Sequence, residues 1–357
     1  MKWTQQFFIY CLLWTATVDA DVNPASNSTP YVLFVNPGYE EDSFWYNVIN
    51  YAQAAATDLN INLEVVHGNR SPLLAQQRLS QKISQGATPD YIILVNEAQT
   101  GRKLLESLTD VSSHALFVVN NLNPTDLVEV QLEPHWQQHL LPGVFANNFR
   151  IGYLTAKALY DKGEQRGGDV LLFSSDTTPA STMREAGAVS FFTQIDGLNV
   201  VQHTYAKWDE NTAYGEAKRL LSLHPNIRYV WTANDQMAFG IQRALGEREE
   251  TIADRDDVLI STINTSEKVL SQLKEGQIAV LGGGDFTALG LALIKIHHHR
   301  NGVEWPQRTR FTLFNLIDEP SALYTDLYEK RWADIDFKGI DLNNNPVNPF
   351  IQIAIDQ

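Results

Sequence analysis

The chain has 357 residues, of which 44% are hydrophobic and 19% are charged. This composition is typical of a globular protein, and the length suits two α/β lobes better than a single core. The 42 acidic and 27 basic residues give a formal net charge of −15. That charge argues against nucleic-acid binding, because contacts to phosphates require clustered Lys and Arg.

The first twenty residues have the three-part pattern of a secretory signal peptide. Lys2 supplies a positive start, residues 7–18 form a compact apolar run, and Val18-Asp19-Ala20 resembles a cleavage site. The run is too short to span a bilayer, and no other segment reaches the roughly 18 apolar residues that a membrane span requires. We therefore predict a signal peptide over residues 1–20, export to the periplasm and a mature chain that begins near Asp21. The alternative interpretation is a buried N-terminal helix.

The single cysteine, Cys11, lies inside this leader. Ile9 and Tyr10 precede it, whereas a lipoprotein signal would place small residues there. The mature chain would then have no cysteine, which excludes a disulfide, a thiolate metal site and a thiol nucleophile.

Strand-length apolar runs alternate with helical periodicity along most of the chain. In the first helix Asp42 or Ser43 can serve as the N-cap. Such repetition predicts parallel sheets with helices on both faces, and here the pattern occurs twice. The predicted fold is therefore α/β, with two Rossmann-like lobes. The predicted strands are 31–36, 63–66, 91–95 and 115–119, followed by 169–173, 200–203, 229–231 and 258–263.

Two later features interrupt this alternation. Short strand runs near 278–281 and 310–316 suggest that the chain returns across the first lobe before it ends. The segment 123–142 has three prolines and little periodicity, so we predict a long connection between the lobes.

Polar and aromatic side chains follow the predicted strands. In open parallel sheets ligands bind at the carboxyl ends of the strands, where the following loops converge. Amides both donate and accept hydrogen bonds, as sugar hydroxyls do, and an arginine can fork across two ligand oxygens. Flat aromatic faces suit the C–H faces of a sugar ring. The residues that follow the strands are Asp42, Ser43, Phe44, Trp45, Asn96, Glu97, Asn120, Asn121, Asp176, Ser181, Arg184, Lys207, Trp208, Asp209, Thr232, Asn234, Asp235, Asn264, Thr265 and Ser266.

Each of these residues also has a structural interpretation. Asn and Asp after strands are common as turn residues and helix caps. Phe44 and Trp45 are adjacent in a helix, so one of them can belong to the core. Trp208 lies between Lys207 and Asp209, which makes burial in the core less favourable.

Four motifs resemble the type I periplasmic binding proteins of the ribose- and galactose-binding kind and their autoinducer-2-binding relatives. The resemblance covers residues 31 to about 300, and its most specific piece is WTANDQMAFG at 231–240. DSFW at 42–45 and TPASTMREAG at 178–187 match in position and type. GVFANN at 143–148, followed by Gly152, stands at the first crossing between the lobes.

The resemblance implies two lobes joined by a multi-crossing hinge. It also implies ligand contacts by nine of the residues after the strands: Asp42, Phe44, Trp45, Asn96, Asn120, Arg184, Trp208, Asn234 and Asn264. The implied lobes are 30–147 with about 284–316, and 148–283 with about 317–357. Hinge candidates are Asn147, Asn148, Gly283, Gly284 and the connection 316–320.

The chain departs from the ribose-binding pattern at three places. Asn120-Asn121 replaces an Asp-Arg pair, Asn264 replaces an aspartate, and LGGGDF at 281–286 replaces a stretch that contains a glutamine. These changes predict a polar cleft that is less charged than the ribose type. They favour another polyol, a sugar derivative or an unrelated polar ligand over ribose.

The resemblance implies a monomeric binding protein without cofactor or catalysis, which feeds a small polar ligand, with a sugar the favoured class, to an ABC permease. The alternative is a receptor that signals to a membrane sensor kinase, cyclase or chemoreceptor. Consecutive histidines at 297–299 cannot all face one metal ion on a helix. GGGDF at 282–286 lacks the Gly-Lys-Ser/Thr of a phosphate loop, and a glycoside hydrolase would need a carboxylate separation that no sequence fixes.

Overall fold

The computed structural model describes residues 28–247, 258–303, 311–342 and 352–353. The predicted signal peptide lies outside these residues. Among the helices of the described part, none is long and apolar enough to cross a membrane.

The first lobe is built on a four-stranded parallel sheet. Its strands lie in the order β2-β1-β3-β4, and helices cover both faces. The central strands are buried along almost their whole length because both faces are covered. The elements are β1 (Tyr31–Asn36), α1 (Ser43–Leu59), β2 (Asn62–His67), α2 (Pro72–Ser84), β3 (Tyr91–Leu94), α3 (Gly101–Glu106) and β4 (His114–Phe117).

Helix α1 shows why the sequence folds in this way. The Asp42 side chain accepts a hydrogen bond from the Phe44 backbone N–H and so caps the helix, as predicted. Asn60 ends the helix in the left-handed conformation. Between these caps Val48, Ala52 and others recur on one face, which is buried against the sheet.

The segment 123–142 is not the irregular interlobe connection that we predicted. It forms two short helices, α4 (Pro124–Leu132) and α5 (Pro134–His139). Val130 and Trp136 are buried in the core of the first lobe. Each helix begins at a proline, the residue favoured at the first helical position, and each is too short to show helical periodicity.

The second lobe has a six-stranded sheet in the order β11-β9-β8-β7-β5-β6. Strands β5 to β9 are parallel, and β11 is antiparallel to β9. The elements are α6 (Asn148–Lys162), β5 (Gly168–Ser174), α7 (Pro179–Phe192), β6 (Leu198–Tyr205), α8 (Glu210–Leu223), β7 (Ile227–Thr232), α9 (Asp235–Gly246), β8 (Leu259–Ile263), α10 (Glu267–Lys274) and β9 (Val280–Gly283).

After β9 the chain returns to the first lobe as α11 (Ala288–Arg300), which packs on α1. It then comes back to the second sheet as β11 (Asn315–Ile317). Three interlobe crossings result: the first ends at Asn148, the second follows Gly283 and the third precedes Asn315. The third crossing therefore lies before the segment 316–320 that we predicted as a hinge, because Leu316 and Ile317 already pair with β9. A small antiparallel pair joins β10 (Phe311–Thr312) to β12 (Gln352–Ile353).

The segment after β11 contacts both lobes. Helix α12 (Ala322–Glu329) packs on α10, where the Tyr324 hydroxyl donates to the Leu270 carbonyl at 3.2 Å. Farther along, the rings of Trp332 and Phe337 lie edge-on to Tyr51 of α1, with centroids 5.5 and 5.4 Å away. Residues 332–342 thus pack on the first lobe, whereas the sequence placed them with the second. Contacts between aromatic residues so far apart in the chain produce no local pattern in the sequence.

Candidate functional site

A cleft of about 840 Å³ lies between the lobes, at the carboxyl ends of the strands of both sheets. Its volume is within the ~300–1,000 Å³ typical of small-molecule sites. Eight of the nine residues predicted from the sequence line it: Asp42, Phe44, Trp45, Asn120, Arg184, Trp208, Asn234 and Asn264.

Asn96 is the predicted residue that the structure does not place in the cleft. Its side chain is fully buried, with the amide nitrogen donating to the Asn121 carbonyl and the oxygen accepting from the Gly101 N–H, both at 2.7 Å. Asn96 therefore ties the loops after β3 and β4 to the start of α3. A buried amide so bonded is part of the scaffold.

Aromatic side chains from both lobes face the cleft. Phe44 and Trp45 both line it, with ring centroids 4.9 Å apart in an edge-on pair, and Trp45 also packs against Phe34 of the core. On the second lobe, the indole N–H of Trp208 donates to Asp176 Oδ2 at 3.0 Å. Lys207 and Trp208 have φ angles of 54° and 59°, in the left-handed region that costs a non-glycine residue energy. The turn and the hydrogen bond together fix the orientation of the Trp208 ring.

Arg184 is buried at the base of the cleft. Its Nε donates to Asn148 Oδ1 at 2.9 Å, one terminal nitrogen to the Ala233 carbonyl at 2.8 Å, and the other to Asp285 Oδ2 at 2.6 Å. Three of the five N–H groups of the guanidinium are thereby used. Burial raises the pKa of Asp285, and the adjacent Arg184 charge opposes that rise.

Two glycines explain how Arg184 reaches this position. A Cβ on Gly152 of α6 would lie 1.9 Å from the Arg184 carbonyl oxygen, and a Cβ on Gly187 of α7 would lie 2.0 Å from the Phe149 oxygen. The two helices therefore pack backbone against backbone, which only glycine permits. These are the glycines of the motifs at 143–152 and 178–187.

The cleft amides are partly committed to the scaffold. Asn234 caps α9 by accepting from the Met237 N–H at 3.0 Å, and Asn264 donates to Asp235 Oδ1 at 2.9 Å. Each amide retains a second polar group, since a carboxamide carries both a donor and an acceptor. Turn, cap and site roles are thus combined in the same side chains.

The cleft contains charged side chains beyond Asp42 and Arg184 of the predicted set. Arg70 pairs with two carboxylates. Its Nε donates to Asp42 Oδ2 at 3.0 Å, and one of its terminal nitrogens lies 3.6 Å from Glu97 Oε1. Burial raises the pKa of Glu97; Arg70 opposes this, while Asp176 and Asp42 add to it. The residues that sequence reasoning left out of the site are chiefly Arg70, Glu97, Asp176, Lys207 and Asp285.

Some of these omissions had a sequence signal. Glu97, Asp176 and Lys207 follow predicted strands, as the predicted residues do. Arg70 comes from the turn between β2 and α2, and Asp285 from the second crossing, so neither is visible without the tertiary arrangement.

Direct hydrogen bonds join the lobes at the rim of the cleft. Asn47 donates to the Thr265 carbonyl at 3.0 Å, and Asn120 Oδ1 accepts from the Ala180 N–H at 3.1 Å. Gln236 donates to the Ser43 hydroxyl at 3.3 Å. The structure therefore represents a closed arrangement of the two lobes.

The histidines at 297–299 each have a different neighbour. His297 bonds Asn301 at 3.1 Å, His298 the Ile340 carbonyl at 3.1 Å, and His299 the Tyr91 hydroxyl at 2.8 Å. Within the described residues, no group of three His, Asp or Glu side chains has the geometry to hold a metal ion.

Comparison with known proteins shows similarity to periplasmic binding proteins. The family model of the periplasmic binding protein domain matches residues 141–298. A solved structure of a periplasmic sugar-binding protein from Pseudomonas fluorescens is 27% identical, with a TM-score of 0.76 over 90% of this chain and 97% of that one. The chain is a type I periplasmic binding protein in fold. The resemblance and fold class predicted from the sequence are confirmed.

Two curated relatives match shorter stretches of this chain. The D-allose-binding periplasmic protein of Escherichia coli K12 is 30% identical over 109 residues, which is 30% of this chain and 35% of that protein. The D-apiose import binding protein of Actinobacillus succinogenes is 24% identical over 148 residues, or 42% and 44% of the two chains. The chain thus matches less than half the length of each. A solute-binding protein from Actinobacillus succinogenes with bound D-allose, 17% identical with a TM-score of 0.70 over 84% of this chain and all of that one, shares the fold.

Proposed function

We propose that this chain is a monomeric periplasmic protein that closes around a sugar, performs no chemistry on it and delivers it to an ABC permease. The observation that carries the proposal is a cleft with aromatic faces and hydrogen-bonding side chains on both of its walls. The names of the relatives, which bind or import allose and apiose, support the sugar class. The apolar run at residues 7–18 supports export by a cleaved leader.

The geometry suggests how a sugar would be held. Phe44 and Trp45 on one wall and Trp208 on the other would cover the C–H faces of the ring. Hydroxyl groups both donate and accept, so amides such as Asn120 and Asn234 suit them. Contacts from both lobes to one ligand stabilise the closed form relative to the open form, and the membrane partner would read that form.

A thermal-shift panel tests the ligand class. The purified protein is heated with D-allose, D-apiose, myo-inositol and common pentoses and hexoses. A sugar at a hundred times its Kd stabilises by about 2.7 kcal/mol, which raises Tm by roughly 4 °C for a chain of this length. A panel in which no sugar or polyol raises Tm would contradict the sugar class.

A pair of variants tests the site. Trp208→Ala removes a cleft aromatic, whereas Tyr205→Ala removes an exposed aromatic three residues away that does not line the cleft. We expect the first to weaken binding of the stabilising sugar at least tenfold and the second to leave Kd unchanged. Equal affinities of the two variants would remove Trp208 from the site.

Export and transport have separate tests. Mass spectrometry of periplasmic protein should show a chain that begins near Asp21, and an intact Met1 would contradict cleavage of the leader. Deletion of the gene should abolish uptake of the sugar that stabilises the protein. Normal uptake in the deletion strain would leave binding intact but reject the transport role.

A further inference from the structure

Arg184 contacts each of the three interlobe crossings at once. Its Nε bonds Asn148, where the first crossing ends, and its terminal nitrogen bonds Asp285, directly after Gly284 of the second. The guanidinium carbon lies 5.2 Å from the ring centroid of Phe314, at the third crossing. Among the cleft side chains described above, Arg184 is the one whose contacts reach all three.

The same guanidinium also reaches the ligand side of the cleft. It lines the cavity, and its carbon lies 6.0 Å from the Trp208 ring centroid. A further bond to the Ala233 carbonyl ties it to the loop that leads into α9. Arg184 thus lies between the walls that would touch a ligand and the segments about which the lobes would rotate.

The chemistry of arginine suits such a link. A guanidinium is planar and holds its donors in a fixed fork, so its partners must be correctly placed at the same time. Helix α7, which carries Arg184, is docked on α6 through Gly152 and Gly187 and forms one body with it. The second and third crossings are separate segments of the chain. A change in hinge angle would therefore move Asp285 and Phe314 relative to the pair of helices α6 and α7.

The second crossing has the backbone of a pivot. Gly284 has φ 131°, and a Cβ there would lie 1.8 Å from the Leu313 carbonyl oxygen. The second and third crossings are therefore in van der Waals contact, and a glycine is needed where they meet. Asp285, the next residue, carries the carboxylate that Arg184 holds.

We propose that Arg184 is a positioning residue that couples occupation of the cleft to the hinge angle. Its guanidinium holds the three crossings in the closed arrangement, and a ligand that meets its free N–H groups stabilises that arrangement. The first half of this proposal, that Arg184 holds the crossings, concerns the protein alone. The second half, that a ligand stabilises this arrangement, rests on the proposed sugar-binding function.

The test measures the distance between the lobes. Spin labels are attached at Ser80→Cys on α2 and Ser222→Cys on α8, two exposed positions on opposite lobes. The native thiol is removed by Cys11→Ser. Pulsed electron resonance gives the distance distribution without sugar and with 10 mM D-allose. The hinge half is tested by the sugar-free sample, so a failure of D-allose to bind does not affect it.

Four variants separate the hinge role from a general loss of stability. Arg184→Lys keeps the charge but loses the fork. Arg166→Lys is the matched control, since Arg166 is an exposed residue of the second lobe that pairs with Glu164 and does not line the cleft. Asn148→Ala removes the acceptor at the first crossing, and Asn148→Asp restores one. Circular dichroism confirms that each variant is folded; if Arg184→Lys is not, the two Asn148 variants carry the test.

We expect Arg184→Lys and Asn148→Ala to lengthen the mean distance and broaden the distribution, while Arg166→Lys and Asn148→Asp match the parent. Identical distributions for all variants would overturn the proposal. A change in Arg184→Lys without one in Asn148→Ala would also overturn it, because the link through the first crossing would be absent.

Discussion

Lys295 provides a test of the packing that supports the first lobe. It lies in α11, where every residue from 288 to 296 is buried, and only 3% of its surface is exposed. Burial disfavours the charged form and lowers the pKa of Lys295 from 10.5 to about 8. In the unfolded chain the pKa returns to 10.5, so between pH 8 and 10.5 the unfolded state binds more protons than the folded state. Stability should therefore rise with pH across this window.

The magnitude follows from the shift. A difference of about 2.5 pKa units corresponds to about 3.4 kcal/mol of destabilisation when the pH is well below 8, at 1.36 kcal/mol per unit. Integration of the linkage relation gives a gain of about 2.5 kcal/mol in the free energy of unfolding between pH 7 and pH 10. Replacement by Met, which fills a similar volume without the charge, should abolish this gain.

Urea unfolding at pH 7 and pH 10 measures the effect for the parent, Lys295→Met and Lys274→Met. Lys274 is an exposed residue at the end of α10 and serves as the control. Burial also raises the pKa of Tyr31 and Tyr91 to about 12, but these groups are common to all three proteins and cancel in the comparison. The reasoning is refuted if the parent and Lys295→Met change equally between the two pH values.

Two further substitutions test the scaffold of the site. Gly152→Ala should cost about 1–3 kcal/mol, because the new methyl group meets backbone that cannot move aside; Gly215→Ala, where a Cβ meets nothing within 4 Å, should be neutral or stabilising in the same urea titration. Asn96→Ala should lower the free energy of unfolding by about 1–3 kcal/mol through unpaired backbone groups. It should leave sugar affinity by calorimetry unchanged, whereas a tenfold loss, as expected for Trp208→Ala, would return Asn96 to the cleft.

The fold was predictable from local patterns because buried parallel strands are short apolar runs that the sequence displays directly. Eight cleft residues were also predictable, since the carboxyl ends of parallel strands meet at one edge of a sheet. Arg70 and Asp285 were not predicted as cleft residues, because Arg70 reaches the cleft from a turn and Asp285 from an interlobe crossing. The helices in 123–142 were not predicted because both are short and each begins at a proline. The packing of Trp332 on Tyr51 joins residues 281 positions apart in the chain.

The pairing of charges inside the cleft bears on which sugars the proposed function would allow. Three cations, Arg70, Arg184 and Lys207, face six carboxylates, Glu41, Asp42, Glu97, Asp176, Asp209 and Asp285. Arg70 and Arg184 are both already paired with protein carboxylates, and burial strengthens these interactions.

A phosphate or carboxylate on the ligand would have to compete for those arginines and would face the remaining acidic groups. Uncharged sugars, whose hydroxyls can donate to carboxylates, avoid both costs. We therefore expect the 6-phosphate and the uronic acid of any sugar that stabilises the protein to bind at least tenfold more weakly at pH 7. Because burial raises the pKa of Glu97, that group protonates more readily as the pH falls, and the discrimination should weaken in acid. Calorimetric titration at pH 7 and pH 5 measures both effects, and tighter binding of the phosphate than of the parent sugar would show that an arginine is free to receive it.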